Sequence, residues 1–233
     1  MTSDKLRVAT YNLQKCVGLD LQRRPDRSLT VIDGIAADLV VLQEADKRVP
    51  PRPAALPHDM AESQGWQIVD MGHPAGSLGW HGNAVLYRNG IEVTDTGRIE
   101  LPGLEPRGAI RVDLDTAIGP LRVVGTHLAL LRRFRLMQLG AIRRALAKLD
   151  PVPTVIAGDF NEWGDAQALQ GQLGPYRILA SFPSYPAPRP IAALDRFAIG
   201  PGLTATKPRP VLGQPARIAS DHLPVWTDLT LDR

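Results

Sequence analysis

Cysteine is nearly absent. The chain of 233 residues has one, Cys16, so no internal disulfide can form. A chain this long can bury roughly 70–75% of the surface its unfolded form exposes and needs no covalent staple. Cys16 itself reads as a buried, inert thiol. A bare metal or redox role for it is the weaker alternative. Aromatic residues are scarce, at 5%, and no long aromatic insertion is present to wedge into a duplex. No stretch reaches the ~18–20 consecutive apolar residues that span a bilayer. The opening MTSDKLRVATYN has no apolar run ahead of its first strand. Neither a signal peptide nor a membrane span is therefore expected, and a cytoplasmic location is. No cysteine cluster or HExxH pair supports a zinc site. Charge of neither sign dominates: the net charge is +3 and the pI about 9.2. That balance is compatible with an anionic substrate without requiring one.

The chain carries alternating strand-like and helix-like segments, with 44% hydrophobic residues, and reads as one domain over 1–233. LRVATYN (6–12) is strand-like, with Leu6, Val8 and Thr10 on one face and Asn12 ending that row. RSLTVIDGIAAD (27–38) has helical spacing, and LVVLQE (39–44) is a nearly continuous apolar run closed by Glu44. NAVLYR (83–88), AIRVDLD (109–115) and LRVVGTHL (121–128) are further strands; a Gly- and Pro-punctuated segment separates the first two. RFRLMQLGAIRRALAKLD (133–150) places Leu136, Leu139, Ile142, Leu146 and Leu149 on one helical stripe. Pro151 and Pro153 stop that helix, and a buried strand running into GDFN follows. ALDRFAIG (193–200) and LPVWTDLTL (223–231) are two late strands. The Pro-rich stretches at 49–57 and 183–190 read as stiff surface loops. The result is a mixed α/β arrangement.

What distinguishes these strands is how they end. Asn12, Glu44, His127, the pair Asp159 and Asn161, and the pair Asp221 and His222 close or adjoin strands; Asp195 sits near the start of another. Each has a bland reading as a cap, a solvated acid or a satisfied core imidazole. Together they are costly for a scaffold, because buried charges must be paired or metal-bound. Convergence on one cation and one phosphate accounts for all of them. Carboxylate and amide oxygens suit a hard ion such as Mg²⁺. If the strand continues through Phe160, Asp159 and Asn161 point the same way and Glu162 faces away. Gly158 permits a close backbone or ligand approach.

In order, TYN, LQE, GTHL, GDFN, LDRF and SDH resemble the endonuclease/exonuclease/phosphatase superfamily, over about residues 6 to 229. The resemblance implies an α/β, four-layer sandwich of two packed mixed β-sheets flanked by helices (DNase I-like), with the site at one end. It implies Glu44 as the main ligand of Mg²⁺ (or Mn²⁺), with Asn12 beside it and Asp221 as a metal or outer ligand. One ion or two is left open. By the same resemblance His127 contacts the scissile phosphate, Asp159 binds or activates water or manages the leaving-group proton, and Asn161 holds phosphate or nucleophile. His222 is a general base or phosphate contact oriented by Asp195. Asn83 and Arg107 are weaker candidates for substrate binding. The basic LLRRFR (130–135) after His127 is a candidate grip for a polyanion. The implied function is metal-dependent phosphoester hydrolysis on a nucleic acid, a phospholipid head group or a small phosphodiester. No obligate protein partner is evident. A non-catalytic binding scaffold on the same fold is the alternative.

Overall fold

The structure, a computed structural model, describes residues 5–46, 53–72 and 76–232. The chain runs β1 (Leu6–Asn12), a 3₁₀ turn (Gln14–Cys16), α1 (Pro25–Gly34), β2 (Leu39–Gln43), α2 (His58–Ser63), β3 (Gln67–Ile68) and β4 (Ala84–Tyr87). It continues through β5 (Glu92–Leu101), β6 (Arg107–Thr116), β7 (Gly119–His127), α3 (Arg132–Leu146), β8 (Thr154–Asp159) and α4 (Gln167–Leu173). Last come β9 (Arg177–Ile178), β10 (Asp195–Ile199), β11 (Leu203–Ala205), β12 (Arg209–Pro210), α5 (Ala216–Ala219) and β13 (Val225–Leu231).

Two mixed sheets result. One has the order β11-β13-β1-β2-β4-β3, with β12 also on β13; the other has the order β5-β6-β7-β8-β10-β9. Their central strands are apolar on both faces because each sheet is covered on both. Leu6, Val8, Leu39, Val41 and Val225 face Ile110, Val112, Val123, Val155 and Phe197 across the middle of the molecule. On the outer face of the first sheet, Ala9, Tyr11, Val40 and Leu42 pack against Leu29 and Ile32 of α1. On the outer face of the second, Val124, Ile156 and Ala198 pack against Leu139, Ile142 and Leu146 of α3 and Leu169 of α4. Burying each such Leu, Ile or Val is worth roughly 1.5–3 kcal/mol. These are the four layers the motif order implied.

Several sequence expectations shift. The helix expected over 27–38 is Pro25–Gly34: Pro25 fits the first helical position, and Ala36 turns left-handed at φ 52°. Leu149 lies beyond the end of α3 and is exposed. Strand β5 replaces part of the segment read as punctuation. It is an outer strand of its sheet, so its outward positions are polar, and Gly97 leaves room for Arg111, whose Nε lies 2.9 Å from where a Cβ would stand. Nor are the Pro-rich stretches mere surface. Residues 49–52 lie outside the described residues, but Ala55 and Leu56 enter the core. Ser184 and Ala187 are fully buried, with Ala187 N–H bonded to Asp221 O at 2.8 Å. The second stretch is a wall of the site described next.

Candidate active site

Strand pairing brings the polar ends together. In the second sheet the parallel β7–β8 pair sets His127 opposite Asp159, and the antiparallel β8–β10 pair sets Asp195 opposite the same residue. In the first sheet the parallel β1–β2 pair sets Asn12 opposite Gln43, so Glu44 emerges one residue further. Asn12 continues the row of Leu6, Val8 and Thr10 that faces the other sheet. Its Nδ2 donates across the sandwich to Asp159 Oδ2 at 3.2 Å. His222, just ahead of β13, brings its Nε2 to 3.7 Å from that same oxygen, and His127 Nε2 lies 3.4 Å from it.

Asp195 fixes His222. Its Oδ2 lies 2.8 Å from His222 Nδ1 and accepts from Ser184 Oγ at 2.6 Å. Ser220 Oγ donates to Asn12 O at 2.7 Å and accepts from His222 N–H at 3.2 Å, tying the imidazole's backbone to β1. Tyr185 packs its ring 4.8 Å from that of His222. Ser184, Ser220 and Tyr185 were not foreseen. Only Ser220, adjoining Asp221 and His222, had a signal in the sequence.

Burial drives the electrostatics. It pushes the Asp159 carboxyl up to about 7, with Asp195 acting the same way against the opposing charge of His222. Burial pulls His222 down, but the charge and hydrogen bond of Asp195, helped by Asp159 and Asp221, outweigh it and raise the imidazole to about 10. Asp221 is also raised, by burial and, despite His222, by the nearby Glu44 carboxylate. Asp195 and Asp159 thus both favour the protonated form of His222, with Nδ1 against Asp195 and Nε2 toward Asp159.

The expected residues meet at this rim, with qualifications. The strand stops at Asp159, so Asn161 does not share its face by strand periodicity. Asn161 instead turns left-handed at φ 52°, with its N–H on Asp159 Oδ1 at 2.9 Å and its Nδ2 on Leu128 O at 2.9 Å. Phe160 packs away into the core, and Glu162 does face elsewhere, onto Arg135 at 3.0 Å. Gly158 lets β8 touch β7: a Cβ there would lie 1.8 Å from Thr126 O. Asn83 is buried, its Nδ2 donating to Gly108 O at 2.9 Å while its Oδ1 has no partner. Arg107 donates to His127 O at 3.2 Å and to Glu105 Oε2 at 3.1 Å. Asp221 lies outside the Asp159–Asp195–His222 group, whose ligand atoms all sit within 4.8 Å of one another. Cys16 is buried and its thiol pushed up to about 11 by that burial, as its inert reading requires.

A cleft of about 410 Å³ opens beside this cluster, lined by Lys15, Glu44, His81, Arg107 and His127. Lys15 Nζ contacts Glu44 Oε2, so a cation already sits on the expected metal ligand. Gln14, Lys15, Glu44, His81 and Asn161 all have positive φ, between 46° and 56°. Each costs roughly 1–2 kcal/mol in a residue with a Cβ, and together they ring the site. Strain concentrated this way marks a place where geometry is imposed by the surrounding fold. For Mg²⁺ or Mn²⁺ the donor chemistry fits: carboxylates of Glu44 and Asp221, the amide of Asn12 and no thiolate at the cleft.

Known proteins agree with this architecture. An uncharacterized protein, YbhP of Escherichia coli strain K12, is 29% identical over 163 residues, 66% of this chain; the match spans 64% of YbhP's own length. The endonuclease/exonuclease/phosphatase of Beutenbergia cavernae DSM 12333 superposes with a TM-score of 0.73 at 25% identity, covering 97% of this chain and 72% of that one. The endonuclease/exonuclease/phosphatase of Bacteroides vulgatus gives 0.77 at 19% identity, covering 98% and 99%, which shows the shared fold. The sequence model of the Endonuclease/Exonuclease/phosphatase family matches residues 9–222, and this chain belongs to that family.

Proposed function

We propose that the protein is a divalent-metal-dependent hydrolase of phosphoester bonds, with a phosphodiester as its substrate. Family membership supports the reaction class. The observation that carries the reading is the meeting of Asn12, His127 and His222 on one oxygen of Asp159, with Asp195 locking His222 from behind.

Glu44, with Asn12 and Asp221, would hold Mg²⁺ or Mn²⁺, which when bound neutralises charge on the phosphate oxygens. The chain's own groups do the rest. Asp159, pushed up to about 7, is poised to take a proton from water at Oδ2, because a base works best when its pKa lies near the working pH. His222, raised to about 10, holds its proton at Nε2 and presents it to a phosphate oxygen. His127 Nε2, on the other side of Asp159, and Asn161 complete the polar surround of that phosphate. Asp195 keeps the His222 ring oriented and charged. Donors fixed in advance need no reorganisation as charge develops, which is the largest lever such a site has. Arg107 holds the His127 backbone from the cleft wall and offers a phosphate contact there, and Asn83 ties the two sheets beside it.

A panel of phosphomonoesters and diesters, assayed with Mg²⁺ and Mn²⁺ beside the Asp159→Asn variant, tests the reading. Turnover should vanish with EDTA, return with either metal and fall by at least about 10²-fold in the variant. Turnover indifferent to EDTA, or equal in a folded variant, would overturn it.

A further inference from the structure

Three loops at the mouth of the site present large apolar side chains to solvent. The β5–β6 loop carries Leu104, 81% exposed; the β7–α3 loop carries Leu130 and Leu131, 66% and 58% exposed; the loop after β8 carries Trp163, 60% exposed. Single exposed leucines need no explanation. Three leucines on two loops beside one cleft do, with Trp163 on the next loop, its ring edge-on to that of Tyr185 at 5.5 Å. Leu104 stands two residues from Pro106 in the cleft wall, Leu130 three residues beyond His127, and Trp163 two beyond Asn161.

Buried polar side chains tie these loops to one another. Gln138, fully buried, accepts from Ala129 N–H at 2.8 Å and donates to Pro102 O at 3.0 Å, joining the first two loops. Arg135 donates to Ala129 O at 3.3 Å and to Leu130 O, and its other nitrogen reaches Glu162 Oε2 at 3.0 Å, joining the second loop to the third. Arg196 bonds Glu162 O and Gly164 O, each at 3.2 Å. The apolar side chains thus stand on a braced frame.

Charge lies beside them. Arg132 and Arg133 follow Leu131 directly, exposed in the first turn of α3, which contains no acid. Cations are disfavoured at that end of a helix dipole, so helix stability does not explain them. Glu105, the acid beside Leu104, is paired with Arg107 at 3.1 Å.

We propose that this rim docks on an anionic lipid surface, with Leu104, Leu130, Leu131 and Trp163 entering the interface and Arg132 and Arg133 meeting lipid phosphates. Leucine and tryptophan flanked by arginine is the composition an interface favours. A single nucleic-acid strand is the poorer occupant, because three of the four side chains offer no π face for bases to stack on. Docking would deliver a lipid phosphodiester to the cleft, an extension that rests on the hydrolase reading; the docking itself does not.

The test is co-sedimentation of the full chain, stripped of metal with EDTA, with phosphatidylcholine vesicles with and without phosphatidylglycerol. Wild type should pellet with the anionic vesicles. Leu130→Asp/Leu131→Asp should weaken that partition by at least about tenfold. Arg132→Gln/Arg133→Gln should weaken it by roughly 10–30-fold, on the anionic vesicles only. Leu104→Ser is a milder second variant. All should keep wild-type melting temperatures, and Leu104→Ser should keep wild-type turnover of a soluble diester. Wild type left in the supernatant at low salt overturns the proposal, as does Leu130→Asp/Leu131→Asp protein that pellets like wild type. So does tighter binding to a single-stranded oligonucleotide that the same variant loses. Absent hydrolysis with intact vesicle binding sinks only the hydrolase reading.

Discussion

Replacing Asp195 with asparagine probes the site at its most constrained point. Asp195 is fully buried, and its Oδ2 lies 2.8 Å from His222 Nδ1. Asparagine keeps the shape and removes the charge. A hydrogen bond to a charged partner is worth roughly 1.5–3 kcal/mol. At 1.36 kcal/mol per pKa unit, His222 should fall by roughly 1–2 units from the value of about 10 that Asp195 helps sustain. The alkaline limb of the rate profile should move down by the same amount. Turnover should drop by roughly 10²-fold or more, because the ring loses its fixed orientation and the charge that fixed it. Linkage gives a second reading. The raised pKa means that His222 stabilises the fold fully below about pH 6.5 and ceases to do so as pH rises past about 10. The stability deficit of the variant should therefore be larger at pH 6 than at pH 10. NMR titration of the imidazole, pH–rate profiles on a soluble diester and thermal melts report these quantities. An unshifted His222 titration with an unshifted alkaline limb would refute the reasoning.

Gly158→Ala sets a methyl 1.8 Å from the Thr126 carbonyl at a backbone φ of 151°. It should cost on the order of 3 kcal/mol or more, visible as a lowered melting temperature or loss of soluble protein. Arg135→Met leaves Glu162 buried without its partner at 3.0 Å and should cost about 3–5 kcal/mol by denaturant unfolding. Burial raises Glu162, but the Gly164 N–H and the Arg135 guanidinium outweigh it and hold its carboxyl below the usual range. That stabilisation is whole above about pH 4.5 and is lost as pH falls through the lower folded value, so wild type and variant should converge in acid. Cys16 in native protein should resist iodoacetamide at pH 8, monitored by mass spectrometry, since it is buried with its thiol raised to about 11; rapid labelling with loss of turnover would place it at the site.

What could be read from the residues and what could not divide along physical lines. A strand's period of two is a local property, so Asn12 was visible as the end of a row that continues into the interior. The apolar runs before Glu44, His127 and Asp159 likewise announced rigid mounts with polar tips. The meeting of those tips depends on register between strands far apart in sequence: His127 with Asp159 in parallel, Asp195 with Asp159 in antiparallel. No local pattern encodes that register; only the order of short motifs pointed to it. Positions that break local preference were hidden altogether. Asn161 reaches the site through a left-handed turn rather than a continued strand, and Lys15 reaches Glu44 through three left-handed residues in succession. Ser184 lay inside a Pro-rich stretch whose composition says surface, while its hydroxyl and backbone are claimed by Asp195 and Ala192. In each case the tertiary structure overrides the local rule. The overrides gather around one cleft because a reactive constellation needs side chains aimed where relaxed backbone would not aim them. The left-handed residues at the rim are therefore evidence about the site, of a kind that enters only with the fold.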